Sequence, residues 1–200
     1  DPFDIYIGVS NGVAVLYWYL IRETDNNLDK MLYAASGDYF SYKNIFTRKD
    51  IFKVHQMYRD GEKKFRPNIK KIKNNLNKKN YIAVVTDAIN AKAEYYSFEE
   101  SEWIPKMIAS GTLPILVRTP SLINGRRKFD GGIADPLPVE KAYEMGAKKI
   151  VVIRTYEKKF RRKLKLENYI GALLSRKYPK LRRALLSHDT VSYTHLTLPT

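Results

Sequence analysis

Cysteine is absent from this 200-residue chain, and with it disulfides, thiolate chemistry and cysteine-rich zinc sites. Long apolar runs are missing too. The longest clean one, residues 12–21, is far short of the roughly 18 residues that a membrane-spanning helix needs. Acidic side chains are few beside basic ones, 21 against 36, which leaves a formal charge of +15. A partner met by diffusion is therefore expected to be anionic, and nucleic acid and an anionic membrane both qualify. Histidine, a common general base, occurs only three times. No secretory signal pattern is visible. The chain opens at Asp1, without methionine and inside a strand-like pattern, so its natural start is expected upstream, where a signal has room.

What is present is enough apolar content, 44%, to bury one sizeable core, and the length favours one domain. That domain is assigned to residues 1–189. Residues 190–200, rich in threonine and leucine, fit neither period and are set aside as a non-native tail. Asp4-Ile5-Tyr6-Ile7-Gly8-Val9 reads as a buried strand turning directly into a buried helix over residues 11–22. Residues 26–80 read as surface helices and loops with basic stretches at 62–66 and 70–73. Tyr81-Ile82-Ala83-Val84-Val85-Thr86-Asp87 is a second buried strand, and residues 93–98 are its hairpin or edge neighbour. A helix is expected at 101–110 with Pro105 in its first turns, then a strand at 113–117, a helix at 139–146 and a third buried strand at 149–153. Residues 157–186 form a basic amphipathic helical region broken near Pro179. Strands alternating with helices imply an α/β fold whose parallel sheet is covered on both faces.

The chemistry starts from Gly8-Val9-Ser10-Asn11-Gly12, a G-x-S-x-G sequence between a strand and a helix. A serine on such a sharp turn projects its hydroxyl above the sheet. Glycines two positions to either side let neighbouring chain pass, and the Asn11 amide points from the helix N-terminus toward a developing oxyanion. The alternative is a turn in which Ser10 merely caps the helix. A nucleophilic serine needs a base. His55 lies in the basic surface region and reads as a half-exposed helix residue, and His195 falls in the excluded tail. His188 completes a Ser10, Asp130, His188 order that matches an α/β-hydrolase triad. Asp130 itself ends a strand and is followed by Gly131-Gly132, which let a loop fold tightly around a half-buried carboxylate able to take the serine proton directly. The other reading of Asp130-Gly131-Gly132 is a turn whose aspartate caps its own backbone.

The two motifs together, Gly8-Val9-Ser10-Asn11-Gly12 and Asp130-Gly131-Gly132, resemble those of the patatin-like phospholipases of bacterial type. Residues 1–7, Val85-Thr86-Asp87, residues 109–114, 130–138 and 146–155 add to the likeness, which runs from residue 1 to about residue 189. The resemblance implies a three-layer α/β/α sandwich with a mostly parallel central sheet. It also implies hydrolysis of lipid acyl esters by a dyad without histidine, with Ser10 as nucleophile and Asp130 as base. Gly8, Asn11 and Gly12 would then build the elbow and oxyanion site, with Gly131 and Gly132 in the active-site loop. No metal or organic cofactor is implied, since nucleophile, base and donors are all protein groups. Two departures stand out. Members of the family carry a glycine-rich oxyanion loop upstream of the serine, and this chain begins too late to include it. The residue after the serine is usually small, whereas here it is Asn11.

Three function classes follow. The first is a lipid acyl hydrolase, cytoplasmic or at the membrane periphery, acting on a lipid acyl ester and touching anionic membrane. The second is a nucleic-acid binder using the basic residues 158–165, which lack any RNA- or DNA-binding module signature, so no nucleic-acid partner is expected. The third keeps the fold but lacks activity for want of the upstream oxyanion loop.

Overall fold

The computed structural model describes residues 3–20, 39–47, 49–65, 79–98, 103–154 and 166–187, together with 29, 32, 33 and 74. It is a mixed α/β structure. Strand β1 (Ile5–Val9) leads into helix α1 (Asn11–Leu20). A 3₁₀ turn (Tyr42–Phe46) and helix α2 (Val54–Phe65) precede β2 (Asn80–Asp87), β3 (Ala93–Ser97) and helix α3 (Trp103–Ser110). Then come β4 (Ser121–Ile123), β5 (Arg126–Asp130), a 3₁₀ turn (Gly131–Ile133) and helices α4 (Val139–Glu144), α5 (Leu166–Leu174) and α6 (Pro179–Leu186).

β2 organises the sheet. Apart from Asn80 its residues are all buried, because it has strands along both edges and helices against it. Tyr81 and Ala83 join Tyr6, with Val13, Tyr17 and Leu20 of α1 and Met107 of α3, in the largest apolar cluster. Val85 packs with Ala109 of α3. Phe129 of β5 instead packs with Ala172 of α5 and with Leu181 and Leu185 of α6. The tight β4–β5 hairpin turns on Asn124 and Gly125, both at positive φ, where asparagine and glycine are the residues that tolerate left-handed backbone.

Four expectations need correction. Among the described residues only β1 and β2 pair in parallel, while β2–β3, β2–β5 and β4–β5 are antiparallel, so the sheet is not mostly parallel. Hairpins are the reason: β3 and β4 return the chain locally, which a run of apolar residues does not reveal. Residues 113–117 form a turn, closed by the Leu116 and Val117 amides on the Leu113 carbonyl, because Pro114 supplies no ladder donor. Residues 149–153 are not a strand; Ile153 is 88% exposed. Finally, α1 is buried along one stripe only, since Val15 and Tyr19 face solvent. His188, residues 158–165 and the tail 190–200 lie outside the described residues.

Candidate active site

The sheet's registers bring the two motifs together. Residues 82–84 of β2 pair with β1 on one edge and β3 on the other, and β5 takes the same edge as β1 further along. β1 runs parallel to β2 as far as Val9 opposite Val84, and β5 runs antiparallel as far as Asp130 opposite Val85. Their C-terminal ends therefore meet head-on, with Ser10 one residue beyond Val9. The Ser10 hydroxyl donates to Asp130 Oδ2 at 2.6 Å across 120 residues of sequence, a length typical of O–H···O⁻ bonds. No histidine among the described residues stands in that bond.

Ser10 sits at φ 55, one of three non-glycine residues with positive φ among those described. Such backbone costs on the order of 1–3 kcal/mol and persists only where the surroundings impose it. Here Ser110, at the end of α3, imposes it. Its buried hydroxyl accepts the Ser10 amide at 2.9 Å and donates to the Val84 carbonyl at 2.7 Å, tying the elbow to the central strand. The Ser10 amide is so engaged, which leaves, of the elbow's own amides, those of Asn11 and Gly12 in the first turn of α1 to meet an anion. First-turn amides have no acceptor within the helix, and that turn carries no acidic side chain to offset its positive end. The Asn11 side chain is exposed.

Asp130 is only 4% exposed, more deeply buried than the half-buried carboxylate expected. Its backbone is fixed by its amide to the Thr112 carbonyl and by the Thr86 hydroxyl on its own carbonyl, each at 2.8 Å. Its two carboxylate oxygens divide the work that the sequence offered as alternatives. Oδ1 accepts the Gly132 amide at 2.8 Å and caps the 3₁₀ turn, while Oδ2 accepts from Ser10. Capping and base geometry coexist. Neither Gly131 nor Gly132 has positive φ; Gly131 is needed because an added Cβ would lie 2.3 Å from the Val84 carbonyl oxygen.

The elbow glycines are not equivalent. A Cβ on Gly8 would meet Val13 Cα at 2.6 Å, where the first turn of α1 crosses over β1, but nothing lies within 4 Å of one on Gly12. The steric reason expected for both holds for Gly8 alone. Gly8→Ala is expected to cost about 1–3 kcal/mol or more through overpacking against fixed backbone. Gly12→Ala, in a helical turn with open space, is expected to change stability by no more than about 1 kcal/mol. Urea midpoints of the two variants at constant m-value test the contrast.

His55 lies partly buried on α2 with Nε2 3.2 Å from Ser121 Oγ, and Ser121 bonds Thr112 Oγ1 at 2.6 Å. Thr112 Oγ1 donates to the Ile108 carbonyl, so Ser121 donates to Thr112 and His55 Nε2 carries a proton. Burial lowers the His55 pKa, opposed by Asp50 and reinforced by Arg59. The histidine is partly exposed on its helix, as expected, and in addition ends a polar chain behind Asp130. Sequence reasoning assigned no role to Ser110, Thr112, Thr86 or His55. The legible cue was hydroxyl residues inside otherwise apolar stretches. Removing the Ser110 hydroxyl (Ser110→Ala) orphans the Ser10 amide and the Val84 carbonyl. The expected loss is about 1–3 kcal/mol of stability, read from urea unfolding, together with lowered activity.

Among the described residues no group of three or more histidine, aspartate or glutamate side chains converges as a metal site. No family model matches the chain. The uncharacterized protein YjjU of Escherichia coli strain K12 is 38% identical over 61 residues, which make up 30% of this chain and 17% of that protein. The likeness therefore spans about a sixth of that relative's length.

Proposed function

We propose that the protein is a serine lipid acyl hydrolase working through a Ser10–Asp130 dyad, of the patatin-like phospholipase kind. The observation that carries this reading is the 2.6 Å bond from Ser10 Oγ to Asp130 Oδ2, with the serine held in left-handed backbone at a strand-to-helix elbow. Ser10 Oγ attacks the ester carbonyl carbon while its proton passes to Asp130 Oδ2. The oxyanion takes hydrogen bonds from the first amides of α1. Collapse expels the alcohol, which receives the proton from Asp130. Water then attacks the acyl-enzyme, yields a proton to Asp130, and Ser10 leaves with that proton restored.

The apolar packing supports the three-layer α/β/α sandwich of this proposal: α1 and α3 lie against Tyr81, Ala83 and Val85, and α5 and α6 against Phe129. The β1–β2 pair is the parallel unit on which such a sandwich is built. Hydrolysis of p-nitrophenyl esters and phospholipids of graded chain length tests the proposal. Activity that survives His188→Ala and disappears with Ser10→Ala is expected. Loss in a folded His188→Ala protein would replace the dyad with a triad.

A further inference from the structure

From Tyr169 on, helix α5 is built inside out. Among its described side chains, the buried positions are filled by small residues: Gly171, whose missing Cβ leaves room for Ile115 at 3.0 Å, then Ala172, and Ser175 follows just after the helix. The large apolar residues from Tyr169 on point the other way. Tyr169 is 55% and Leu173 51% exposed, and Ile170 and Leu174 stand beside them in solvent. Spacings of three and four residues make these four side chains one continuous face. An ordinary surface helix does the opposite and turns its large apolar residues inward. The small residues are what let α5 pack closely on α6, whose Leu181 and Leu185 share its cluster with Phe129.

Beyond Tyr169 the charge on the α5–α6 hairpin is of one sign. Every charged residue from 169 to 187 is basic: Arg176, Lys177, Lys180, Arg182 and Arg183, and all five are exposed. An exposed apolar face on a hairpin with exposed cations matches a surface that is apolar within and anionic at its rim, which describes an anionic bilayer. Nucleic acid meets the cations but leaves the four apolar side chains in water, so charge alone does not select it. Among the described residues no helix is long and apolar enough to cross a membrane, so such contact lies along the surface.

We infer that the α5 face and the basic residues of the α5–α6 turn and of α6 dock the protein on anionic lipid surfaces. This deepens the hydrolase reading by naming how a lipid substrate is approached, yet docking itself needs neither Ser10 nor Asp130. The α5–α6 pair packs on Phe129, the neighbour of Asp130, which joins the docking face to the strand that carries the base.

The test is sedimentation of the Ser10→Ala protein with vesicles of phosphatidylcholine alone or mixed with phosphatidylserine. Strong binding to the mixed vesicles only is expected, weakening as salt screens charges beyond about 10 Å at 0.1 M. Leu173→Gln with Leu174→Gln, and separately Arg182→Glu with Arg183→Glu, are each expected to weaken binding at least about tenfold while circular dichroism stays unchanged. In the Ser10 parent the same exchanges leave hydrolysis of a water-soluble ester intact, so failed docking and a failed hydrolase reading give different results. The inference is overturned by undiminished binding of the glutamine variant, by retention on duplex DNA but not on vesicles, or by self-association that vanishes in that variant without vesicle binding. Unfolding of the glutamine variant with no vesicle binding by the wild type overturns it equally, since the face would then be covered by the chain itself.

Discussion

With the proposed dyad, Ser10→Ala and Asp130→Asn are each expected to lower kcat for a short acyl ester by about four to six orders of magnitude, with KM little changed. The expectation comes from geometry. Ser10 Oγ has its hydrogen bond to Asp130 Oδ2, and the other carboxylate oxygen is held by Gly132, so the base cannot turn away. Asparagine keeps the size and can keep the cap through its carbonyl oxygen, but it presents an amide that cannot take the serine proton. The folded structure is therefore expected to survive Asp130→Asn while the chemistry does not. A double variant should be hardly worse than either single one, because nucleophile and base act as a unit. Initial rates with the three variants at equal folded concentration check this.

The second large effect is structural. Lys128 is 1% exposed and its ammonium bridges Asp87, fully buried, at 2.8 Å and Glu94 at 2.6 Å. Arg126 adds a contact to Asp87 from the surface at 2.9 Å. The network ties β5 to β2 and β3 two residues from Asp130. Lys128→Met leaves the Asp87 carboxylate buried without its main partner, and a loss of about 3–5 kcal/mol is expected. Asp87 also sets a pH signature. Burial pushes its carboxyl up, but the Lys128 ammonium and the Asn90 and Ile89 amides outweigh this, and its pKa ends below the ordinary value. A depressed carboxylate contributes stability that is fully present above the unfolded value of about 3.9 and is lost as pH falls through the lower folded value. In Lys128→Met the burial acts with less opposition, so the gap in stability between variant and wild type narrows on acidification. Urea unfolding of both proteins from neutral pH down to about pH 3 reads both the size and the sign.

Much of this was legible because it rests on local chemistry. A glycine two residues before a serine, between a β-branched run and a helix, announces an elbow, and Gly8 proves to sit where the helix crosses over the strand. Asp130 followed by two glycines announces a tight turn, and the turn is there. What local chemistry does not encode is which strand lies beside which. The meeting of β1 and β5 on one edge of β2, which creates the site, depends on registers at Val84 and Val85. Likewise residues 149–153 have the composition of a buried strand, yet a strand exists only where an edge receives it. Ser110 shows the same limit at the scale of one hydroxyl. Its part in holding Ser10 is set by where the end of α3 falls over the sheet, and a single buried serine in a helix carries no mark of its future partner.

Reaction with a fluorophosphonate, followed by peptide mass spectrometry, tests the dyad most directly, because the reagent reports which side chain is an activated nucleophile. The account predicts a single adduct, on Ser10, formed at an unchanged rate in His188→Ala and slowed by about a thousandfold or more in Asp130→Asn. An adduct on another residue, no adduct in the folded protein, or labelling of Ser10 that is indifferent to Asp130 would contradict it.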